Sequence, residues 1–312
     1  MKIVITGALG HIGSRLLQTF PGLLPEAEIV LLDNLLTQRY CSLFDLPPKG
    51  RYRFLEADVL TADLAAVFTG ADAVVHLAAI TNAEGSFQIQ QEVERVNFEG
   101  TRRVAQACIA TGAPLIFLST TSVYGTQAQV VDENCSAAEL NPQSPYAESK
   151  LRAEQLLSRL GEEQGLRFVS CRFGTIFGSS PGMRFHTAVN KFIWQACQGI
   201  PLTVWASALD QKRPYLDLED AARALHFIIE RELFDQETYN VLTLNATVRE
   251  VVSAITEFVP DTRVSLVESQ IMNQLSYTVS SEKFRGMGFE FSGELRKRVA
   301  QSVQLLSGVR RW

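Results

Sequence analysis

A glycine-rich turn near the N-terminus limits the possible folds of this chain more than any other stretch. A short β-branched run, 2–5, precedes the turn, and a helical pattern at 14–20 follows it. Glycines three residues apart permit tight backbone dihedrals and let a phosphate approach the N–H groups at the start of a helix. The stretch therefore predicts a strand, a tight turn and a helix, with Gly7, Gly10 and Gly13 suited to the pyrophosphate of a dinucleotide. A purely structural turn is the alternative, because the spacing differs from GxGxxG.

Strand-like and helical patterns then alternate along the chain. Further apolar runs resemble strands at 28–32, 53–57, 73–79, 114–118 and 167–173, and helical patterns separate most of them. This alternation predicts an α/β fold, a doubly wound and mostly parallel sheet covered by helices on both faces. The pattern changes after Gly174. We predict a dinucleotide-binding domain at 1–173, to which 215–243 returns, and a smaller substrate-binding α/β domain made of 174–214 and 244–312.

Composition excludes several classes of protein. Hydrophobic residues make up 46% of the 312 residues and charged residues 20%, which is typical of a globular chain. The net charge of −5, without a basic stripe, argues against nucleic-acid binding. No apolar run reaches the roughly 18 residues that a membrane span needs. The five cysteines are widely spaced, which predicts neither disulfides nor a metal site. With no signal-peptide pattern, we expect a cytoplasmic protein.

Asp33 follows the second strand, twenty residues after Gly13. A carboxylate at that point can accept hydrogen bonds from the ribose of a bound adenosine. The same carboxylate would repel the additional phosphate of NADP, and no basic residue directly follows it. The sequence therefore favours NAD as cofactor, with Asn34 beside Asp33.

Other polar residues at predicted strand ends have two interpretations each. Asp58 either caps the helix at 63–68 or contacts an adenine. His76, inside an apolar run, is better explained as a hydrogen-bonded core residue than as a catalyst. Asn97 interrupts a helix interior and should have a buried partner. The hydroxyl-rich stretch 119–125 follows the fifth strand, where ligands bind in open α/β sheets.

Tyr146 and Lys150 lie four residues apart in a predicted helix, so their side chains share one face. A neighbouring ammonium favours the phenolate, and the pair could move a proton to or from an alcohol. Taken alone, the spacing fits an ordinary helix equally well. Together with the turn and the strand-end residues, it indicates an active site.

These stretches together resemble the extended short-chain dehydrogenase/reductases, and more narrowly their NAD-dependent nucleotide-sugar epimerase/dehydratase group. The resemblance implies a Rossmann-type sheet. It also implies that Tyr146 is the catalytic base, that Lys150 orients the nicotinamide ribose, and that Thr120 binds the sugar hydroxyl. The NAD contacts that it implies are Gly7, Gly10, His11, Ile12, Gly13, Asp33, Asn34, Asp58, Val59, Leu77, Ala78, Ala79, Asn97, Ser119, Tyr146, Lys150 and Phe173.

The same resemblance bears on the reaction. Family members that eliminate water usually carry acidic residues just after the threonine, where this chain has Thr121 and Ser122. Their absence favours an epimerase that works through a transient keto sugar. An NAD-dependent dehydrogenase is the nearest rival, and a non-catalytic NAD-binding regulatory protein is the alternative from another class.

The substrate side departs from the family pattern. The usual Arg-x-x-Asn motif appears as Arg172-Phe173-Gly174-Thr175, so an asparagine that often helps bind substrate is replaced. His186 is a further acid/base candidate, with a helix cap as its alternative. The loop at 183–191 could hold a diphosphate or a uronate carboxylate. The predicted substrate contacts are Thr121, Thr175, Arg184, Asn190 and Arg213.

Members of the family often pair through two long helices, which here would be 88–110 and 146–163. We therefore expect a homodimer. Val104, Cys108, Leu151 and Leu156 are apolar positions on these helices, and they could equally face the sheet of their own monomer.

Overall fold

A computed structural model describes residues 1–125, 130–268, 276–306 and 308. Its strands are β1 (Lys2–Thr6), β2 (Glu28–Asp33), β3 (Arg51–Glu56), β4 (Ala73–His76), β5 (Leu115–Thr120), β6 (Val130–Val131), β7 (Phe168–Phe173), β8 (Thr175–Phe177), β9 (Leu202–Trp205), β10 (Lys212–Asp217), β11 (Thr238–Val241), β12 (Leu244–Thr247), β13 (Val264–Val267) and β14 (Thr278–Val279).

The α-helices are α1 (His11–Leu23), α2 (Leu64–Phe68), α3 (Gln90–Val93), α4 (Gly100–Thr111), α5 (Pro145–Gln164), α6 (Ala188–Cys197), α7 (Leu218–Glu230), α8 (Val248–Phe258), α9 (Glu282–Gly286) and α10 (Leu295–Leu306). A π-helical stretch, Glu94–Glu99, joins α3 to α4. None of the helices in the described residues is long and apolar enough to cross a membrane.

Seven strands form one sheet in the order β3-β2-β1-β4-β5-β7-β11, and every neighbouring pair is parallel. On one face, α1 and α7 bury residues such as Leu16 and Leu225 against the sheet. On the other face, α2, α4 and α5 bury Phe68, Val104 and Leu157. The predicted doubly wound α/β fold is confirmed, and its strand order reverses between β1 and β4, where such sheets open a crevice.

A smaller group of elements lies beyond the large sheet. Strand β10 pairs with β8 in parallel and with β12 antiparallel. The helices α6, α8 and α10 share a core with this sheet, including Ile193, Ile255 and Val299. Strand β10 therefore crosses the predicted boundary at residue 215, because its two ends pair within the same small sheet.

The block 244–312 does not pack as one body on the smaller side. Phe284 of α9 is fully buried in the core of the large sheet, where its ring lies 5.9 Å from that of Phe227 and 5.6 Å from that of Tyr239. Helix α9 packs away from the smaller group because its five residues cannot form a core of their own and are buried only by joining an existing one. Parts of the block, 269–275, 307 and 309–312, lie outside the described residues. The two-domain division stays a proposal.

Two predicted elements differ in detail. Strand β4 ends at His76, whereas the apolar run suggested 73–79, because Leu77 and Ala78 turn toward Thr6 and donate their N–H groups to its carbonyl and hydroxyl oxygens. In the helices expected at a dimer interface, Val104, Cys108 and Leu156 are buried in the monomer's own core. Those apolar positions are thus already covered within one chain.

Candidate active site

A cleft of ≈ 1020 Å³ opens at the carboxyl ends of the central strands, between the large sheet and the smaller group of elements. It brings together most of the residues that the sequence predicted. The predicted residues that line it are Gly7, Gly10, His11, Ile12, Gly13, Asp33, Asn34, Asp58, Val59, Leu77, Ala78, Ala79, Ser119, Thr120, Tyr146, Lys150, Phe173, Thr175, Arg184 and Arg213.

The glycine turn is packed so closely that side chains are excluded. At Gly7, which has φ +66°, an added Cβ would lie 2.6 Å from the backbone nitrogen of Ala78. At Gly13 it would lie 2.3 Å from the carbonyl oxygen of Ala8. Helix α1 begins at His11, and within the described residues no side chain caps it. Its first backbone N–H groups are therefore available to an anion, which fits a dinucleotide pyrophosphate.

Asp33 is held rigidly at the cleft wall. Its Oδ2 accepts the N–H of Leu9 at 3.0 Å, and its Oδ1 accepts the N–H of Leu35 at 2.9 Å. Each carboxylate oxygen has a second lone pair, so both can still accept from a ligand hydroxyl. The guanidinium of Arg39 also lies within electrostatic range of this carboxylate. Arg39 lies six residues after Asp33, so the preference for NAD, which considered only residues directly after Asp33, did not depend on it.

Asp58 lines the cleft and accepts a hydrogen bond from the amide of Asn34 at 3.0 Å. Its other oxygen accepts the N–H of Leu60 at 2.8 Å. The helix-cap interpretation of Asp58 is wrong, because Asp63 accepts the N–H of Ala66 and caps α2. Asp58 therefore orders the turn that presents Val59.

Tyr146 and Thr120 meet where β5 ends and α5 begins. Helix α5 starts at this point because Ser144 accepts the N–H of Ala147 as N-cap, and Pro145 occupies the first helical position. Burial raises the pKa of Tyr146, while the guanidinium of Arg184 and a hydrogen bond with Thr120 lower it. The cation that acts on the phenol through space is thus Arg184, a role that no local sequence pattern reveals.

Lys150 is 3% exposed and lies one turn beyond Tyr146. Its Nζ donates to the carbonyl oxygen of Leu118 at 2.7 Å and lies 4.7 Å from the centre of the Phe117 ring. Burial lowers the pKa of Lys150 to about 7, and the carboxylate of Glu154 acts in the opposite direction. Lys150 is therefore held in one position with a charge that changes near neutral pH.

A buried ionic network supports this helix from behind, and no sequence pattern indicated it. Arg172 of β7 contacts Glu154 at 2.7 Å, and both side chains are less than a tenth exposed. The other side of the guanidinium donates to the hydroxyl of Tyr124 at 2.9 Å, which itself donates to Asn240 at 2.8 Å. The network joins α5 to β7 and β11.

Three predicted ligand contacts lie behind the cleft wall instead of in it. The amide of Asn97 is occupied by the backbone of Ile80, at 2.8 and 3.0 Å, and by Ser149 at 3.1 Å. Thr121 donates to the carbonyl oxygen of Phe173 at 3.3 Å. These groups are already paired with protein, so they position the wall. The buried partner expected for Asn97 is confirmed.

Asn190 is the third of these residues. Its Oδ1 accepts the N–H of Gly178 at 3.3 Å, and its Nδ2 donates to the carbonyl oxygen of Arg184 at 3.2 Å. The side chain is fully buried. It therefore fixes the loop that carries Arg184, without lining the cleft itself.

Two of the histidines have different surroundings. His76 is buried, and its ring nitrogens bond Thr6 at 2.7 Å and Thr101 at 3.1 Å. Burial and the charge of Lys150 lower the pKa of His76 to about 3, as expected for a core residue. His186 lines the cleft, where burial and two nearby guanidinium groups lower its pKa to about 4. It is neutral near pH 7.

The cleft also gathers positive charge. Arg39, Arg184, Lys191 and Arg213 all line it, although the whole chain carries a net charge of −5. Arg213 is oriented by Gln211, whose side-chain oxygen accepts from it at 2.8 Å. Such a set of cations suits an anionic ligand, such as a diphosphate or carboxylate. All five cysteines are free, and the described residues contain no cluster of metal-ligating side chains.

The chain is similar in sequence and in fold to known proteins. A model of the NAD dependent epimerase/dehydratase family matches residues 3–241. The chain is 31% identical over 267 residues to an uncharacterized UDP-glucose epimerase of Bacillus subtilis (strain 168), a match that covers 82% of this chain and 81% of that protein.

It is also 30% identical over 306 residues to a trifunctional UDP-glucose 4,6-dehydratase/UDP-4-keto-6-deoxy-D-glucose 3,5-epimerase/UDP-4-keto-L-rhamnose-reductase of Arabidopsis thaliana. That match covers 92% of this chain and 44% of the plant protein, so the chain spans less than half the length of this relative. Among solved structures, it is similar to UDP-glucose 4-epimerase of Thermus thermophilus in complex with NAD, with a TM-score of 0.82, 25% identity and 99% of each chain covered.

The Asp33 carboxylate predicts a strong preference for NAD over NADP. An acceptor facing the 2′-phosphate loses a hydrogen bond and adds repulsion, which should cost on the order of a hundredfold in affinity. Asp33→Ala should weaken NAD binding and narrow the gap to NADP, as measured by fluorescence titration with the reduced forms.

Asp63→Ala is the matched control, because that exposed carboxylate caps α2 outside the cleft and should leave the preference unchanged. Equal or tighter NADP binding by the wild type would contradict the prediction. It would indicate that the nearby Arg39 binds the 2′-phosphate.

The buried His76 predicts a pH dependence of folding stability. Its folded pKa of about 3 lies below its ordinary value of 6.5, so between these values the unfolded chain binds a proton that the folded chain does not. Stability therefore falls as pH drops below that ordinary value, by up to about 1.4 kcal/mol per pH unit for this one group. His76→Asn has no such titrating group, so its stability lacks this pH dependence. The difference in unfolding free energy between wild type and His76→Asn should therefore shrink toward acid pH. Urea unfolding at several pH values measures this, and a constant difference would show that His76 protonates in the folded state.

Proposed function

The chain belongs to the NAD dependent epimerase/dehydratase family, and from this premise we propose that it is an NAD-dependent epimerase acting on a nucleotide-activated sugar. The observation that carries the proposal is the meeting of Tyr146 and Thr120 in the same cleft as the glycine turn. A protein that merely sensed NAD would have no use for a phenol and a hydroxyl at that point.

Bound NAD would supply a hydride acceptor that can also return the hydride to the sugar. The Tyr146 oxygen would remove the proton from the sugar hydroxyl, and Thr120 would hold that hydroxyl by a hydrogen bond. A phenol is a poor base at neutral pH, and burial makes it poorer. The guanidinium of Arg184 opposes this by lowering the pKa of Tyr146.

Lys150 would keep its ammonium near the reacting groups. Its bond to the Leu118 carbonyl oxygen fixes the Nζ, and Glu154 favours its charged form. A buried ammonium with a pKa near 7 is easily neutralised, so this carboxylate helps keep the charge in place. The positive charge can then bind a ribose hydroxyl, while Arg184 acts on the phenol.

The residues after Thr120 favour epimerisation over elimination of water. Thr121 turns its hydroxyl toward the Phe173 carbonyl oxygen, and Ser122 lines the cleft. Neither side chain carries a carboxyl group that could protonate a hydroxide as it leaves the sugar. An epimerase needs no acid there, because the keto sugar rotates and takes the hydride back on its other face.

The cations of the cleft support a nucleotide diphosphate as the substrate's anchor. Arg213 and Lys191 belong to the smaller group of elements, across the cleft from the glycine turn. A guanidinium binds a diphosphate through paired N–H groups. Arg184 acts electrostatically on Tyr146, so it would contact the sugar near the reacting hydroxyl.

Turnover of UDP-, GDP-, CDP- and dTDP-sugars tests the proposal. We expect one of them to be inverted at a carbinol carbon without net production of NADH, as followed by NMR. Tyr146→Phe should lower turnover by about a hundredfold or more, because it removes the proton acceptor, and should still bind NADH.

Tyr40→Phe, at an exposed position, is the matched control and should keep full turnover. Stoichiometric NADH would indicate the dehydrogenase, and no turnover of any sugar, with NADH still bound, would favour the regulatory alternative.

We also propose a homodimer located in the cytoplasm. Because Val104, Cys108 and Leu156 are covered within one chain, the interface would use the outer faces of the two helices. On these outer faces, Arg152 of α5 lies 4.4 Å from the ring of Phe98 and contacts Glu94 at 2.8 Å, which links α5 to the π-helical stretch. Sedimentation at micromolar concentration should give a dimer, and a stable monomer would refute this proposal.

A further inference from the structure

The glycine turn and the loop after β8 are joined by a set of hydrogen bonds that the proposed reaction does not require. His11, within the turn, bonds the carbonyl oxygen of Gly178 through its Nε2 at 2.8 Å. A carbonyl oxygen can only accept, so Nε2 carries the proton. The ring is 4% exposed, and burial together with Arg184 lowers the pKa of His11 to about 3. The histidine is therefore a neutral donor fixed between the two segments.

Two serines extend the connection. Ser14 donates to Ser180 at 2.9 Å, Ser180 donates to the carbonyl oxygen of His11 at 2.8 Å, and Gly182 donates its N–H to Ser14 at 2.9 Å. Each hydroxyl thus both donates and accepts. Gly178, Ser180 and Gly182 all belong to the loop at residues 178–184, which is named the 178–184 segment below.

The packing at Gly182 shows how close this approach is. An added Cβ would lie 2.3 Å from the carbonyl oxygen of Leu9 and 2.6 Å from that of Gly10. Both are backbone atoms of the turn, so neither can move aside without moving the turn. The 178–184 segment rests on carbonyl oxygens, which leaves the N–H groups at the start of α1 for a ligand.

The other end of the 178–184 segment reaches the reacting groups. Arg184 donates to Thr81 in the cleft and acts electrostatically on Tyr146. Asn190 ties the two ends of the segment together through Gly178 and Arg184. A set of hydrogen bonds therefore runs from the turn to Arg184, which acts on Tyr146 through its charge.

We propose that His11 is a positioning residue that fixes the dinucleotide-binding turn against the 178–184 segment, so that the placement of this segment sets the affinity for the dinucleotide. The inference rests on the proposed function, because it assumes that the turn binds a nicotinamide dinucleotide. The 178–184 segment contacts the carbonyl oxygens of the turn, whereas the dinucleotide would bind its N–H groups. A change in this segment should therefore weaken dinucleotide binding without touching the ligand.

Binding of NADH, followed by fluorescence titration of the full chain, tests this without a turnover assay. Gly182→Ala forces the 178–184 segment away from the turn, and we expect NADH to bind about tenfold more weakly, the usual effect of losing a buried hydrogen bond. Gly22→Ala is the matched control, because a Cβ there meets no atom within 4 Å, and it should bind NADH as the wild type does.

Substitutions of His11 test the hydrogen bond itself. His11→Phe keeps a ring and removes the donor, so it should weaken NADH binding by about tenfold. His11→Gln places an amide N–H near the position of Nε2 and should restore most of the affinity. Melting temperatures measured without ligand identify any variant whose loss is only a loss of folding.

The outcomes separate this inference from the proposed function. The inference is overturned if Gly182→Ala binds NADH as tightly as Gly22→Ala does. If His11→Gln binds NADH as weakly as His11→Phe does, the hydrogen bond of His11 does not set the affinity. A wild-type chain that binds no NADH would overturn the proposed function and this inference together. A chain that binds NADH with the expected pattern and turns over no sugar would leave His11 in its role and reject the epimerase.

Discussion

The cleft depends on the close approach of the glycine turn to the residues that follow β4. The N–H of Gly7 donates to the carbonyl oxygen of Leu32 at 2.8 Å, and its α-carbon faces Ala78 with no room for a side chain. The turn is therefore held between the ends of β2 and β4, at the point where the strand order reverses. Thr6 supports the arrangement from below by bonding His76 at 2.7 Å. A crevice opens there because helices on opposite faces diverge from that point.

Helix α5 is bound to this sheet through charges that are costly to bury. A lone ammonium or carboxylate in a protein interior loses several kcal/mol of hydration unless partners replace the water. Lys150 has the Leu118 carbonyl oxygen, and Glu154 has the guanidinium of Arg172. These paired groups follow Tyr146 at intervals of one turn, so their contacts determine where the phenol lies. Stability and catalysis therefore depend on the same helix face.

The electrostatics of the cleft differ in sign from those of the whole chain. A net charge of −5 and the absence of a basic stripe argue against nucleic-acid binding. Six cationic side chains nevertheless line the cleft, against four carboxylates, and its low-dielectric walls strengthen the field of this positive excess. Local placement thus matters more than net charge for the choice of ligand. Burial, together with Arg184 and Arg39 of this set, lowers the pKa values of His11 and His186 and keeps both histidines neutral.

The sequence by itself determined the features that depend on spacing along the chain. Alternating apolar runs predicted the parallel sheet, glycines three apart predicted the turn, and the four-residue interval placed Tyr146 and Lys150 on one helix face. Each of these follows from local backbone geometry, which repeats with a fixed period in strands and helices. Tertiary structure decided which distant side chains meet. Arg184 approaches Tyr146 across 38 residues, and His11 bonds Gly178 across 167. It also decided that Asn97 and Asn190 pair with backbone behind the cleft wall, because a buried amide must satisfy its hydrogen bonds wherever packing places it.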